Sequence, residues 1–294
     1  MKNHISEFKT FLQLNKSAAE NTIVSYIRDV NQFNEFLYSL GTKKISESTE
    51  SDIKKYVDKL RKDGKSVSTI TRAIASLRTF FTYLLSKNII SENPTKNIKA
   101  EKKEKTLPRI LTGKEVEILL SQPEPVSLKG CRDKAMLELL YATGIRVSEL
   151  IELDITDINT ELGFVRCGKN NTERMIPLYP AAVSAIKEYF LKSRPLLLTN
   201  QAEKALFVNL SGSRMTRQGF WKIIKHYQET AHITTEITPH TLRHSFAAHL
   251  LQNGADIGVI KEIMGHSDIS STLVYAELIK NDLKSNYIKF HPRA

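Results

Sequence analysis

Thr238-Pro239-His240-Thr241-Leu242-Arg243-His244-Ser245-Phe246-Ala247-Ala248-His249-Leu250-Leu251 is the most informative stretch of this 294-residue chain. Thr238 is suited to cap a helix and Pro239 to occupy its first position. His240, Arg243 and His244 then fall at i, i+3 and i+4, on one side of the first turn. Leu242, Phe246 and Leu250 supply the apolar face, so the cationic and imidazole groups have little reason to be core. A zinc site from His240 and His244 lacks the acidic residue that the zinc-protease motif places after its first histidine. His244 and His249 are expected to be structural, bonded to backbone or water.

Other segments supply partners for this helix. In Ala142-Thr143-Gly144-Ile145-Arg146-Val147-Ser148-Glu149-Leu150, Gly144 is expected to stop one helix and Arg146 to stand at the mouth of the next. Free backbone N–H groups and a guanidinium there would suit an anion; the plainer reading pairs Arg146 with Glu149 or Glu152. In Ile263-Met264-Gly265-His266-Ser267, Gly265 ends a helix ahead of His266. Six of the eight histidines lie between His226 and His266, and the next aromatic hydroxyl is Tyr275, within a helical run over 268–286. A tyrosine nucleophile would need cationic and imidazole neighbours to stabilise phenolate. Gly163-Phe164-Val165-Arg166-Cys167-Gly168-Lys169-Asn170 matches a P-loop up to its last position. Asn170 stands where Ser or Thr would hold magnesium, and a strand rather than a helix follows, so ATP binding is rejected. Lys169 instead sits on a hairpin tip between strand-like segments 162–167 and 173–178, able to deliver a proton.

Outward from the site, helical patterns are expected at 113–121, 131–142, 147–152, 180–193, 216–231, 239–252 and 256–264. The N-terminal hundred residues read as about four helices. Ile23, Tyr26, Ile27, Val30, Phe33 and Leu37 form one stripe, and Ile70, Ile74, Leu77, Phe81, Leu84 and Leu85 another. Shorter helices fall near 4–14 and 50–63, with Ser17 and Ser68 as caps and Gly41 and Gly64 as stops. Residues 99–108, KAEKKEKTLP, read as a basic linker. The domains are therefore 1–98, helical, and 109–294, mixed, giving a mainly α chain with a small β-sheet or hairpin in its C-terminal domain.

Residues 1–105 carry 20 basic against 12 acidic side chains, and the whole chain has net charge +11. That asymmetry suits a polyanionic partner. Lys102, Lys103 and Lys105 in the linker, with Arg72 and Arg78 in the bundle, are the candidate phosphate contacts. No apolar run approaches a membrane span and residues 1–30 lack a signal-peptide pattern. Cys131 and Cys167 read as apolar fillers in a chain of the reducing cytoplasm.

Arg146, Lys169, His240-x-x-Arg243, Gly265-His266 and Tyr275, in this order, resemble the tyrosine site-specific recombinases, or phage-integrase family. The matching segments are ATGIRVSEL, GKNNTERMIPL, TPHTLRHSFAAHLL and MGHSDISSTLVY. The N-terminal bundle is similar to the family's core-binding domain, and the spacing, length and final His-Pro-Arg-Ala are most like the bacterial Xer recombinases. The resemblance implies that Tyr275 attacks the scissile phosphate to form a 3′-phosphotyrosyl link. Arg146 and Arg243 would hold the non-bridging oxygens, His240 and His266 would bond the phosphate and assist proton movement, and Lys169 would protonate the 5′-oxygen. It implies no cofactor and no metal, a C-shaped clamp on duplex DNA carrying a specific recombination site, and a homo- or hetero-tetramer, in the latter case with a second Xer-type recombinase. A DNA translocase would serve as activator, and the setting would be the bacterial nucleoid, without a membrane. The family's hairpin usually reads Gly-Lys-Gly with a basic residue two positions on; Asn170 and Thr172 depart from it, and Asn tolerates the left-handed turn geometry.

Three rival activities remain open to the sequence. A phage or mobile-element integrase would share the chemistry, but its usual extra arm-binding domain has no counterpart, since the first helical pattern begins almost at Met1. A catalytically silent DNA-binding regulator would not need all six residues. A metal-dependent nuclease would want clustered carboxylates, and none accompany the His/Arg segments.

Overall fold

Two amphipathic stripes read in the first hundred residues close on each other. The computed structural model describes residues 2–15, 20–41, 44–99, 108–168, 173–265 and 275. It divides into two units, residues 1–105 and 106–294. The first unit holds α1 (Lys2–Asn15), α2 (Glu20–Ser39), α3 (Glu50–Lys62) and α4 (Val67–Ser86). Ile23, Val30, Phe33 and Leu37 of α2 and Ile70, Ile74, Leu77, Phe81 and Leu84 of α4 are buried. Phe8, Phe33, Phe80, Phe81, Tyr56 and Tyr83 fill the space between, in edge and tilted ring contacts. The α4 cap is Ser66 rather than Ser68: its Oγ accepts the Thr69 N–H at 3.2 Å. Ser17 lies outside the described residues.

The bundle also gives the two candidate phosphate-binding arginines internal work. Arg72 Nη1 reaches buried Asp29 at 2.7 Å, and Ser76 Oγ donates to the same carboxylate at 2.8 Å. A buried carboxylate needs such partners, so Arg72, one-third exposed, also serves inside the bundle. Arg78 is exposed, yet its Nη2 donates to the Ile98 carbonyl at 2.7 Å and ties the end of the unit to α4. Lys102, Lys103 and Lys105 lie outside the described residues.

The second unit holds α5 (Gly113–Ser121), α6 (Leu128–Thr143), α7 (Val147–Glu152), β1 (Ile158–Asn159), β2 (Phe164–Cys167), β3 (Arg174–Pro177), α8 (Pro180–Glu188), α9 (Arg194–Leu197), α10 (Arg217–Thr230), α11 (Pro239–Gln252) and α12 (Ile257–Met264). The chain is thus mainly helical with one small sheet in its C-terminal half, as the pattern predicts. α6 is buried nearly all round and forms the centre. The Arg132–Asp133 pair within it is buried, with Asp133 also accepting from Tyr227 Oη at 3.1 Å. α8 does not run uninterrupted to 193 as expected. A π turn at Tyr189–Ser193 joins it to α9, a widening that accommodates the N–H missing at Pro195.

The antiparallel sheet has the order β1-β2-β3, with Val165 opposite Ile176 and Cys167 opposite Arg174. Val165, Cys167 and Ile176 point inward, while Arg166 and Met175 are exposed, the period of two that fixes register. Cys131 and Cys167 are both buried free thiols, and burial pushes Cys167 up to about 12. They behave as the apolar fillers expected. Among the described residues no helix is long and apolar enough to cross a membrane.

Candidate active site

The site is organised by the start of α11. Thr238 Oγ1 accepts the Thr241 N–H and Thr241 Oγ1 accepts the Thr238 N–H, each at 3.1 Å, with Pro239 at the first helical position. This reciprocal cap fixes where the first turn begins. Ser245, one turn on, donates to the Thr241 carbonyl and accepts the Leu111 N–H, each at 2.8 Å. The helix is therefore anchored on its buried side, and His240 is left exposed on the other.

Arg243 is the buried cation of the site, 4% exposed. It donates through Nη1 to the Gly144 carbonyl and through Nη2 to the Met264 carbonyl, the latter at 2.6 Å. Those two carbonyls lie at the C-terminal ends of α6 and α12, whose orphan acceptors a cation satisfies well. Burial, and then the neighbouring Arg146, lower its guanidinium to about 10. It stays cationic at neutral pH.

Two glycines make this grip possible. Gly144 caps α6 at φ +57°, and a Cβ there would stand 2.2 Å from the Phe246 ring. Gly265 caps α12 at φ +61°, and its Cβ would stand 2.9 Å from the Arg174 guanidinium. Left-handed backbone and close approach both demand glycine, and both stops are where the sequence predicts them.

Arg146 is the N-cap residue of α7, at the mouth of that short helix. Its backbone N–H is not free: Glu149 Oε2 accepts it at 2.7 Å. The carboxylate is also gripped by Arg174, at 2.9 Å from Nη1 and 3.2 Å from Nη2. Burial alone would push the Glu149 carboxyl up, but Arg174 and the Arg146 N–H outweigh it and hold the pKa below the usual value. Because Arg174 already takes Glu149 bidentately, the Arg146 guanidinium is left with a longer 3.6 Å approach. Its Nη2 also points to the Gly265 carbonyl at 3.5 Å, and its side chain is 44% exposed. Arg174 Nε donates to the Ile263 carbonyl at 2.6 Å, so one arginine ties β3 to α7 and the end of α12.

Arg146, His240 and Arg243 line one cavity of about 580 Å³, together with Arg217, Trp221 and Pro239. Three guanidiniums on a concave wall are a ready receptor for a phosphodiester. Trp221, nearly half exposed, carries Lys225 Nζ 5.6 Å from its ring centre. The sequence reading passed over Arg217 and Trp221. The available signal was the chain's single Trp lying off the buried Phe220, Ile223, Ile224 and Tyr227 stripe of α10.

Tyr275 is helical and only 2% exposed. Phe246, Ala247, Ile260 and Met264 pack with it. Its Oη lies 2.7 Å from His244 Nδ1. Burial raises its pKa and the nearby Arg243 partly offsets that. This corrects the expectation for His244, whose partner is the candidate nucleophile rather than backbone or water. His249 is bonded to backbone as expected, at Leu111, and its Nδ1 also meets Tyr141 Oη at 2.8 Å. Lys169 and His266 lie outside the described residues.

This geometry has relatives. The phage integrase family model matches residues 109–282, and the phage integrase N-terminal SAM-like domain matches residues 5–88. Tyrosine recombinase XerD of Oceanobacillus iheyensis is 44% identical over 99% of this chain and 98% of its own. Tyrosine recombinase XerD of Listeria innocua serovar 6a is 42% identical over the whole of both chains. Among solved structures, XerH site-specific recombinase bound to palindromic difH substrate shares the fold, with TM-score 0.76 and 23% identity over 96% of this chain and 83% of that one. XerA recombinase aligns over 100% and 99% with TM-score 0.55 and 26% identity. Full-length identity above 40% and a family match across both units agree with the arginine–histidine–tyrosine cluster: the chain belongs to the phage integrase family of tyrosine recombinases.

Proposed function

We propose that this enzyme resolves chromosome dimers in the Xer manner, cutting and rejoining duplex DNA at one specific site through a 3′-phosphotyrosyl intermediate. The observation that supports it best is the cavity shared by Arg146, His240 and Arg243, with the Tyr275 hydroxyl bonded to the same turn of α11. Arg146 and Arg243 hold the non-bridging oxygens as charge builds on them, the largest catalytic contribution available without a cofactor. His240 and His266 hydrogen-bond the phosphate. The Tyr275 Oη–P bond forms as the P–O5′ bond breaks, the phenol proton passing to His240 or His266 while Lys169 protonates the departing 5′-oxygen. The phosphotyrosyl ester conserves the bond energy, so attack by a 5′-hydroxyl reverses the step without ATP.

In this reading residues 1–98 form the core-binding domain, 99–108 a basic linker and 109–294 the catalytic domain. Four subunits, of one kind or two, act on paired sites at the nucleoid, with a DNA translocase as activator. A plasmid bearing two copies of a candidate chromosomal dimer-resolution site tests the role. Resolution to monomers supports it, and recombination only at a mobile-element junction moves the assignment to an integrase.

Affinity is expected to fall steeply with salt, because the basic N-terminal region and Lys102, Lys103 and Lys105 contact phosphates. Neutralising six to ten phosphates costs about 10³–10⁵-fold between 50 and 200 mM salt. A filter-binding titration showing a flat response contradicts it. Lys169→Ala is expected to slow cleavage of an ordinary phosphodiester far more than of a bridging 5′-phosphorothiolate, whose thiolate departs without an acid. Equal slowing in single-turnover assays of the two substrates removes Lys169 from that role.

A further inference from the structure

We infer that His244 is a positioning residue for strand cleavage, holding the Tyr275 hydroxyl through Nδ1, and that efficient attack depends on a hydrogen-bond acceptor at that point. The inference rests on the reading that Tyr275 is the nucleophile, and it adds a seventh residue to the six named above.

The geometry supports it at three points. The 2.7 Å separation is a full-strength O–H···N contact. The imidazole is rigidly based, because its neighbours in sequence anchor α11: Arg243 to the carbonyls of Gly144 and Met264, Ser245 to Thr241 and Leu111. And Phe246, Ala247, Ile260 and Met264, all apolar, pack on the phenol. A buried hydroxyl in such company needs a partner, and His244 is the one it has among the described residues.

The charge states decide what kind of partner His244 is. Burial, then His240 and Arg243, lower its imidazole to about 4, so it is neutral at physiological pH. Burial keeps the phenol protonated. The phenol therefore donates to a bare Nδ1, and the ring proton sits on Nε2. So weak a base does not remove the phenol proton in the resting enzyme. It fixes the direction of the O–H bond and leaves the Oη lone pairs available to phosphorus. Orienting a nucleophile in this way acts on the rate of the bound complex rather than on DNA affinity.

The test is single-turnover formation of covalent adduct at saturating DNA. The substrate is a nicked duplex selected by the wild-type protein from random sequence. His244→Leu is expected to slow the plateau rate roughly 10- to 100-fold with DNA affinity unchanged. His244→Asn, whose Oδ1 takes the place of Nδ1, is expected to restore it to within about threefold of wild type. A merely structural imidazole would give no such rescue. Wild-type rates in His244→Leu, or Asn as slow as Leu, overturn the inference. An adduct that persists in Tyr275→Phe instead sinks the underlying assignment of the nucleophile. The bond itself is checked in the free wild-type protein by ¹⁵N NMR of the histidine rings. The His244 Nδ1 signal should show an unprotonated, hydrogen-bonded nitrogen that shifts in Tyr275→Phe, and an unchanged signal refutes the bond whatever the variants do.

Discussion

Tyr275→Phe is expected to eliminate the covalent protein–DNA adduct, a loss of at least about 10⁴-fold, while leaving site binding intact. The substitution removes one oxygen and keeps the ring that Phe246, Ala247, Ile260 and Met264 enclose. The structural cost is limited to the His244 hydrogen bond, on the order of 1 kcal/mol. A thermal melt therefore shows a small shift at most, and a gel under denaturing conditions shows whether DNA stays attached. Retained binding with lost attachment is the signature of a missing nucleophile. An adduct of wild-type yield would mean that another side chain attacks.

Arg243→Ala should have the second-largest effect, and on two quantities at once. In catalysis it removes a preorganised cation from the phosphate cavity, a change that typically costs about 10²–10³-fold in rate. In stability it strands the Gly144 and Met264 carbonyls at the ends of α6 and α12, each loss about 1–3 kcal/mol. Arg243→Lys keeps the charge but has no planar fork to serve two carbonyls and a phosphate together. It should melt above the Ala variant and still cleave far more slowly than wild type. Arg146→Lys provides the contrast, because Arg146 is nearly half exposed and makes only long contacts to Glu149 and Gly265. Its melting temperature should stay close to wild type while cleavage falls. Arg243→Ala cleaving at the wild-type rate would remove the buried cation from the mechanism.

These effects trace to features of unequal visibility in the sequence. The α11 start was legible because capping is local: Thr238, Pro239 and Thr241 are contiguous, and their hydrogen bonds follow from spacing. The stops at Gly144 and Gly265 were legible for the same reason. The buried stripes of α2 and α4 follow from periodicity alone. The Arg174 hub was not legible, because a single arginine in a four-residue strand gives no hint that it reaches Glu149 and Ile263, 25 and 89 residues away. His244 was misread on similar grounds. It was expected to bond backbone or water, whereas its partner Tyr275 lies 31 residues further on. The Arg72 bond to the buried carboxylate of Asp29 was not legible either, since the two lie on different helices. β1, two residues long, is too short to carry a pattern. Local structure was thus legible where neighbours in sequence decide it, and hidden where tertiary partners do.

The central claim is that Tyr275 itself becomes joined to DNA, without a metal ion. The direct measurement traps the adduct on a nicked duplex in EDTA, digests the protein and identifies by mass spectrometry the peptide that carries the nucleotide. The account predicts a 3′-phosphotyrosyl modification on Tyr275, formed at full rate in chelator. Nucleotide on a different residue, or an adduct that forms only when divalent metal is restored, would contradict it.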